Sequence, residues 1–539
     1  MRLLRFVMPA FAALASLPLL AAAPPPPPNN YVPSAQYCFG GPGTPTGNLC
    51  AVLPGNIGAD PALATKFFGY QGIMVPAYPT NSNNDVETPF DNYSWQAFVA
   101  LNWKQGAQSK PASAGLKGDG ERVWQSYDRV SSVFGNSPIQ GNCRPLDGEQ
   151  VFSIGSKGDG TPAVRNEEYI QASTGAPEID VNGNWAIYER RLNGIEIAYL
   201  RAPGGHSEWN LTTSDGQKAF AAVAGNKISF PAVGAGSAQN GAIEIKASWR
   251  ILIPGRASDG PKKFYTQRAV LAVSPELVFD GAGPVRPICD HVVLGLVGMH
   301  IIQKNPLTTN KLLPQWFWST FEHVDNAPLA DKACDITMQV ACAIPANQQQ
   351  CPAPSATGAN WSFYNAKAPD VATNQPPALL LGGKAFLWQP KQPYAFSFMV
   401  PSKNAGRVGT QSTRCWQIYK LTRQLNAQWQ KKLREANSVF ANYMLVGTQW
   451  GASTEIPNPR TFPSGAVPAF LSNTTMETYL QNYFPANDGF NTGSCISCHG
   501  GATLGTTPAL TSDLSFLPGL VDIKKSRRAP VKPDAKPPK

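Results

Sequence analysis

The sequence predicts an α+β protein: an antiparallel, strand-rich body with a few helices and an irregular C-terminal segment. Three observations carry this. The 539 residues include 48 glycines and 50 prolines, half again the usual share of ~12%, which favours many turns and short elements. Between Trp185 and Val324 several apolar or alternating stretches of strand length follow one another, as sheet-forming segments do. Only one long stretch, Thr413 to Asn437, keeps a strong helical period. No repeat of 20–50 residues is visible, which argues against a propeller or solenoid.

In chain order, residues 1–23 read as a secretory signal peptide, with Arg2 and Arg5 before an apolar run from Phe6 to Ala23. That implies a periplasmic or secreted protein; an uncleaved anchor is the competing reading. Pro24 to Pro28 is a stiff spacer opening a Pro/Gly-rich lead-in, residues 24–90. The body, residues 91–470, starts with a buried helix over Tyr93 to Lys104, capped near Asp91 or Asn92, with Trp95, Phe98, Val99 and Leu101 on its core face. Trp185–Leu192 and Ile195–Arg201 flank Asn193-Gly194, a two-residue hairpin signal. Ile243–Ile253 and Phe264–Val273 partly alternate. Val292–Ile302 is a nearly continuous apolar run, a strand buried on both faces, whose Gly295 and Gly298 permit close approach of backbone or cofactor. Gln315–Val324 and Tyr394–Val400 complete the strands, and residues 330–366 form a disulfide-pinned insertion. In the helix Thr413–Asn437 the stripe Leu421, Leu425, Trp429 and Leu433 faces the core, opposite a basic face.

Ten cysteines are present, and setting aside Cys495 and Cys498 leaves eight, compatible with disulfides in an oxidising compartment. Cys38 with Cys50 is the simplest local pair. The formal charge of +10 is concentrated at the ends, in Arg2, Arg5 and a basic tail over residues 523–539 with seven basic residues and Asp534. The remainder is close to neutral, which gives no case for nucleic acid. The tail reads as disordered and solvated, with contact to an anionic membrane surface or acidic partner as the alternative.

Residues 471–522 contain Cys495-Ile496-Ser497-Cys498-His499, the attachment pattern of one covalent haem c. The spacing follows the chemistry. Two thiols one helical turn apart reach the two vinyl groups of one porphyrin edge, and the next residue offers an imidazole to the iron. Ser494 is placed to cap that turn. A zinc knuckle would need a second ligand pair, a thioredoxin-like site a βαβ setting, and a plain disulfide loop leaves His499 unexplained.

The motif, with Ser94 to Trp103, Trp318 to Asn326 and Leu514 to Leu517, resembles the large single-haem cytochrome c family proteins of bacteria. That resemblance implies haem binding and electron transfer. One departure is that no methionine follows His499, so a sixth iron ligand would come from upstream. His300, inside the apolar strand, ranks first; His323, beside Glu322 and Asp325, is the alternative; Met299 and Met444 rank lower; an open sixth position also remains. A closed iron would make the chain an exported electron carrier serving a redox partner protein of unknown identity. An open one, with Glu322, His323 or Arg250 as acid, base or charge stabiliser, would make it a haem-dependent periplasmic oxidoreductase with its own substrate pocket.

Overall fold

The computed structural model describes residues 49–55, 87–106, 113–135, 143–154, 169–171, 176–232, 240–260, 262–278, 288–306, 315–335, 354, 360–368, 372–379, 387–396, 398–399, 409–452, 471–481, 493–506 and 509–521. The expected signal peptide, most of the lead-in, Cys38, much of the 330–366 insertion and the basic tail lie outside them. The chain is α+β, built on one strand-rich, mostly antiparallel curled sheet.

Along the chain the sheet strands are β1 (Asp128–Arg129), β2 (Gln150–Ile154), β3 (Ile187–Leu192), β4 (Ile243–Leu252), β5 (Thr266–Val273), β6 (Ile288–Asn305) and β7 (Gln315–His323). After them come β8 (Leu329–Asp335) and β9 (Arg414–Gln417), which pair with each other in parallel, and β10 (Tyr443–Ala452), which joins β7. β6 is the spine. One edge pairs with β4; the other pairs with β5 along its first half and β7 along its second. The order β1-β3-β4-β6-β5-β2 then branches at β6 through β7 to β10. The region 394–400 forms only two-residue strands, Ala395–Phe396 and Phe398–Met399.

Successive strand residues face opposite ways, so the register sorts side chains onto two faces. Met299, Ile301 and Phe321 point to one face, where α1 (Glu87–Leu101) and α4 (Lys420–Glu435) cover them. Phe98 stacks on Phe321 at 4.1 Å, and Trp95 lies parallel to Trp429 at 5.9 Å. Both indoles also find partners, Trp95 with Asn426 Oδ1 at 2.8 Å and Trp429 with Asn92 Oδ1 at 3.1 Å. Trp95 and Trp429 can be buried whole because the N–H of each indole is satisfied. His300, Ile302, Trp316 and Trp318 point to the other face, covered by α2 (Gly194–Arg201), α3 (Ser214–Ala222) and the C-terminal residues around Ile496, Leu504, Leu514 and Leu517.

Three sequence expectations are corrected. Asn193-Gly194 is no hairpin turn: Asn193 Oδ1 accepts the Glu196 N–H at 3.0 Å and starts α2, while β3 pairs with β4 instead. The same amide also bonds Ile243 N and Gly241 O, so tertiary contacts favour a cap over a turn. The late helix begins at Lys420, not Thr413, because Arg414–Gln417 is drawn into pairing with β8. α1 begins at Glu87, before Asp91, and Asp91 is no cap: its carboxylate accepts from Thr422 and Thr448 hydroxyls inside the core.

A disulfide joins Cys143 to Cys289 with the Cα atoms 5.2 Å apart, and Cys50 and Cys415 are also disulfide-bonded. No described helix is long and apolar enough to cross a membrane.

Candidate functional site around Cys495, Cys498 and His499

Cys495–His499 forms a single helical turn, α5, lying against β10. Its first amide is held by the sheet: Gln449 Oε1, on β10, accepts the Ile496 N–H at 2.9 Å. Ser494, expected as the cap, points its hydroxyl at the same oxygen at 3.3 Å, and its carbonyl accepts the Cys498 N–H at 3.2 Å, so a glutamine 47 positions away helps hold the start of the turn. Neither Cys495 nor Cys498 is in a disulfide. Burial raises the Cys495 thiol well above its ordinary pKa, and the Glu477 carboxylate adds to that.

His499 lies between Trp318, edge-on at 5.7 Å, and Phe516 at 4.9 Å. Its Nδ1 meets the Leu514 carbonyl oxygen at 2.7 Å. Since a carbonyl only accepts, Nδ1 carries the proton and Nε2 the lone pair. Burial pulls the imidazole down to about 4, against the pull of the Leu514 bond; His300 lowers it further, whereas Glu477 opposes.

The Leu514 carbonyl is aimed by an uncommon backbone. Asp513 and Leu514 both have positive φ, 51° and 69°, a region costly for leucine, of order 1–3 kcal/mol. The turn is held by Asp513, whose carboxylate accepts the Phe230 N–H at 2.7 Å and pairs with buried Lys304 on β6. Ser512 and Ser515 close it with hydroxyl bonds to the local backbone.

The sequence candidates separate by face. His300 pairs in register with Lys246 on β4 and Thr320 on β7, one row from Ile302 and Trp318, and so shares the face of α5. Its Nε2 lies 3.1 Å from Glu477 Oε1, and its Nδ1 is buried without a hydrogen-bond partner. His323 is five residues from Trp318 on β7, which puts it on the opposite face and roughly 16 Å along the strand. Both its nitrogens are engaged: Nε2 with Lys263 O at 2.9 Å, and Nδ1 accepting from Asp325 N at 3.1 Å. Burial lowers it to about 4, so it is a neutral core imidazole packed on Phe264 and Tyr443.

Met299 also faces away, its sulfur 3.8 Å from Asn102 Nδ2. Met444 pairs with Glu322 across β7 and packs half-buried against the cluster that contains Ile496. Glu322 is buried against Arg414 and accepts from Thr474 N at 2.6 Å. Arg250 is buried between Asp180 and Asp259, each at 2.9 Å. Asp259 edges a cleft of about 990 Å³ with Lys117, Phe264, Tyr265 and Arg434, whose lining includes no residue of the Cys495–His499 turn. His206 and His291 pair with Glu208 and Glu149 near the surface.

Sequence reasoning missed Gln449, Glu477 and the Leu514 carbonyl. Only Leu514, within a stretch noted for its resemblance, carried any sequence signal. No protein-family model, curated protein or solved structure matches this chain.

Proposed function

We propose that this chain is an exported monohaem c-type cytochrome that acts in electron transfer, in which Cys495 and Cys498 would hold one covalent haem c and His499 would ligate its iron. The supporting observation is the state of His499. Its Nδ1–H is committed to Leu514 O at 2.7 Å, so the nitrogen with the lone pair is fixed, as for metal-binding histidines whose other nitrogen is held by a carbonyl. The donor set fits the group: two thiols outside any disulfide on one turn, with the imidazole on the same turn.

Bound there, haem supplies a one-electron couple. The chain's residues do the rest. Gln449 pins the start of the turn, Trp318 and Phe516 flank the imidazole, and Ile302, Leu504 and Leu517 exclude water on the sheet side. On this reading His300 would supply a second ligand to the iron, and an unidentified redox protein is the partner. The resemblance to large bacterial single-haem cytochrome c proteins points the same way.

The test is to purify the chain from a host with haem-attachment machinery. Expected are a mass increase of one haem that survives denaturation and a c-type absorption spectrum. Both disappear in the Cys495→Ala, Cys498→Ala double variant. A colourless wild-type protein of unmodified mass refutes the proposal.

A further inference from the structure

Residues 471–481 pack along the face of the sheet that carries α5. Asn473 Nδ2 donates to Thr320 Oγ1 and to Phe321 O, both at 3.0 Å. Gly298 leaves room for this: a β-carbon there would lie 2.5 Å from Thr475 Oγ1. The segment so placed brings Glu477 onto His300, with the carboxylate oxygens 3.1 and 3.2 Å from Nε2. The carboxylate is itself oriented, since Oε2 accepts the Asn473 N–H at 3.0 Å.

A carboxylate only accepts, so His300 Nε2 bears a proton, and in the neutral ring Nδ1 then holds the lone pair. The His300 side chain is 8% exposed, and Nδ1 has no hydrogen-bond partner. An unsatisfied buried ring nitrogen is costly, and a metal bond is one way to satisfy it. The site is also compact. Glu477 and His300 both act electrostatically on His499, and Glu477 acts on Cys495 as well.

We propose that Glu477 is a positioning residue for His300 as a second iron ligand: it holds His300 in the tautomer that would present Nδ1 to the iron, and raises that nitrogen's donor strength. A carboxylate behind a metal-bound histidine does both. The inference rests on the haem reading above. Glu477 does not touch the metal in this scheme; it acts through His300.

The test uses the haem-loaded full chain and three variants, His300→Ala, Glu477→Gln and Glu477→Ala, read by mass, spin-state absorption and midpoint potential. Expected is a low-spin wild type and a high-spin His300→Ala protein that still carries its haem. Glu477→Gln stays low-spin, because the amide oxygen still accepts from Nε2–H, but its potential rises with loss of the negative charge. Glu477→Ala gains a high-spin fraction that added imidazole reverses. If both Glu477 variants match the wild type in spin state and potential while His300→Ala turns high-spin, the Glu477 role is overturned and the haem reading stands. If His300→Ala leaves a haem-loaded protein unchanged, the role is overturned together with His300 ligation. A wild type without haem removes the reading beneath both.

Discussion

Gly298→Ala should destabilise the protein although alanine is the better strand residue. In an open strand position the change would gain roughly 0.5–1 kcal/mol, because glycine loses more backbone freedom on folding. Here the added carbon would lie 2.5 Å from Thr475 Oγ1, 3.1 Å from Asn473 Oδ1 and 3.2 Å from Met476 Cε. Threonine is β-branched and stiff, and its hydroxyl is tied to Asn473 Oδ1 at 2.8 Å, so the segment must lift rather than the side chain swing. Overpacking of this kind costs about 1–3 kcal/mol. Thr475→Ala alone should cost about 1 kcal/mol through the lost hydrogen bond, and it removes the nearest clashing atom. The double variant should therefore be little worse than Thr475→Ala, a coupling of about 1–2 kcal/mol in a double-mutant cycle. Urea unfolding of the four proteins measures it. Strictly additive costs, or a Gly298→Ala protein as stable as the wild type, would refute the close-approach argument.

Two further outcomes follow from the core. His323 is held neutral near a pKa of about 4 against an ordinary 6.5, so its folded form resists protonation. Its contribution to stability is complete above about pH 6.5 and is lost as pH falls toward 4, by roughly 3 kcal/mol in all. His323→Gln should flatten that part of the stability–pH curve in urea titrations; an unchanged slope would count against a buried neutral imidazole. Asn193→Ala removes the cap of α2 together with its bond to Gly241 O, and should lower stability by about 1–2 kcal/mol. Asn193→Asp, which keeps the capping oxygen, should lose less, and equal losses would show that the cap is not what matters.

The run that became β6 was legible because burial on both faces leaves a continuous apolar signal, β4 and β5 were marked by partial alternation, and the stripe Leu425, Trp429, Leu433 marked α4 because only one of its faces is buried. Asn193-Gly194 misled because a capping asparagine and a turn asparagine are the same residue in the same local sequence. What separates them is Gly241 and Ile243, 48 and 50 positions on. Within the candidate site the Cys495–His499 turn was legible because its chemistry is local. The groups that hold it were not: Gln449, Glu477 and Leu514 O arrive through sheet register and a left-handed turn, and a polar residue in a polar stretch leaves no trace of its partner. His300, inside the apolar strand, and His323, beside Glu322 and Asp325, were both sequence candidates, ranked in that order. Counting strand residues from Trp318 is what parts them, and that count needs the pairing of β6 with β7.

Part of the cover of one sheet face comes from residues 471–481, 493–506 and 509–521, which follow every strand of that sheet in the chain. Until those residues arrive, Ile302, Trp316, Trp318 and Val446 lack part of their cover, and a half-made molecule would display a greasy, strand-edged surface of the type that associates with its own kind. The cysteine-bearing turn thus belongs to the piece that conceals that surface.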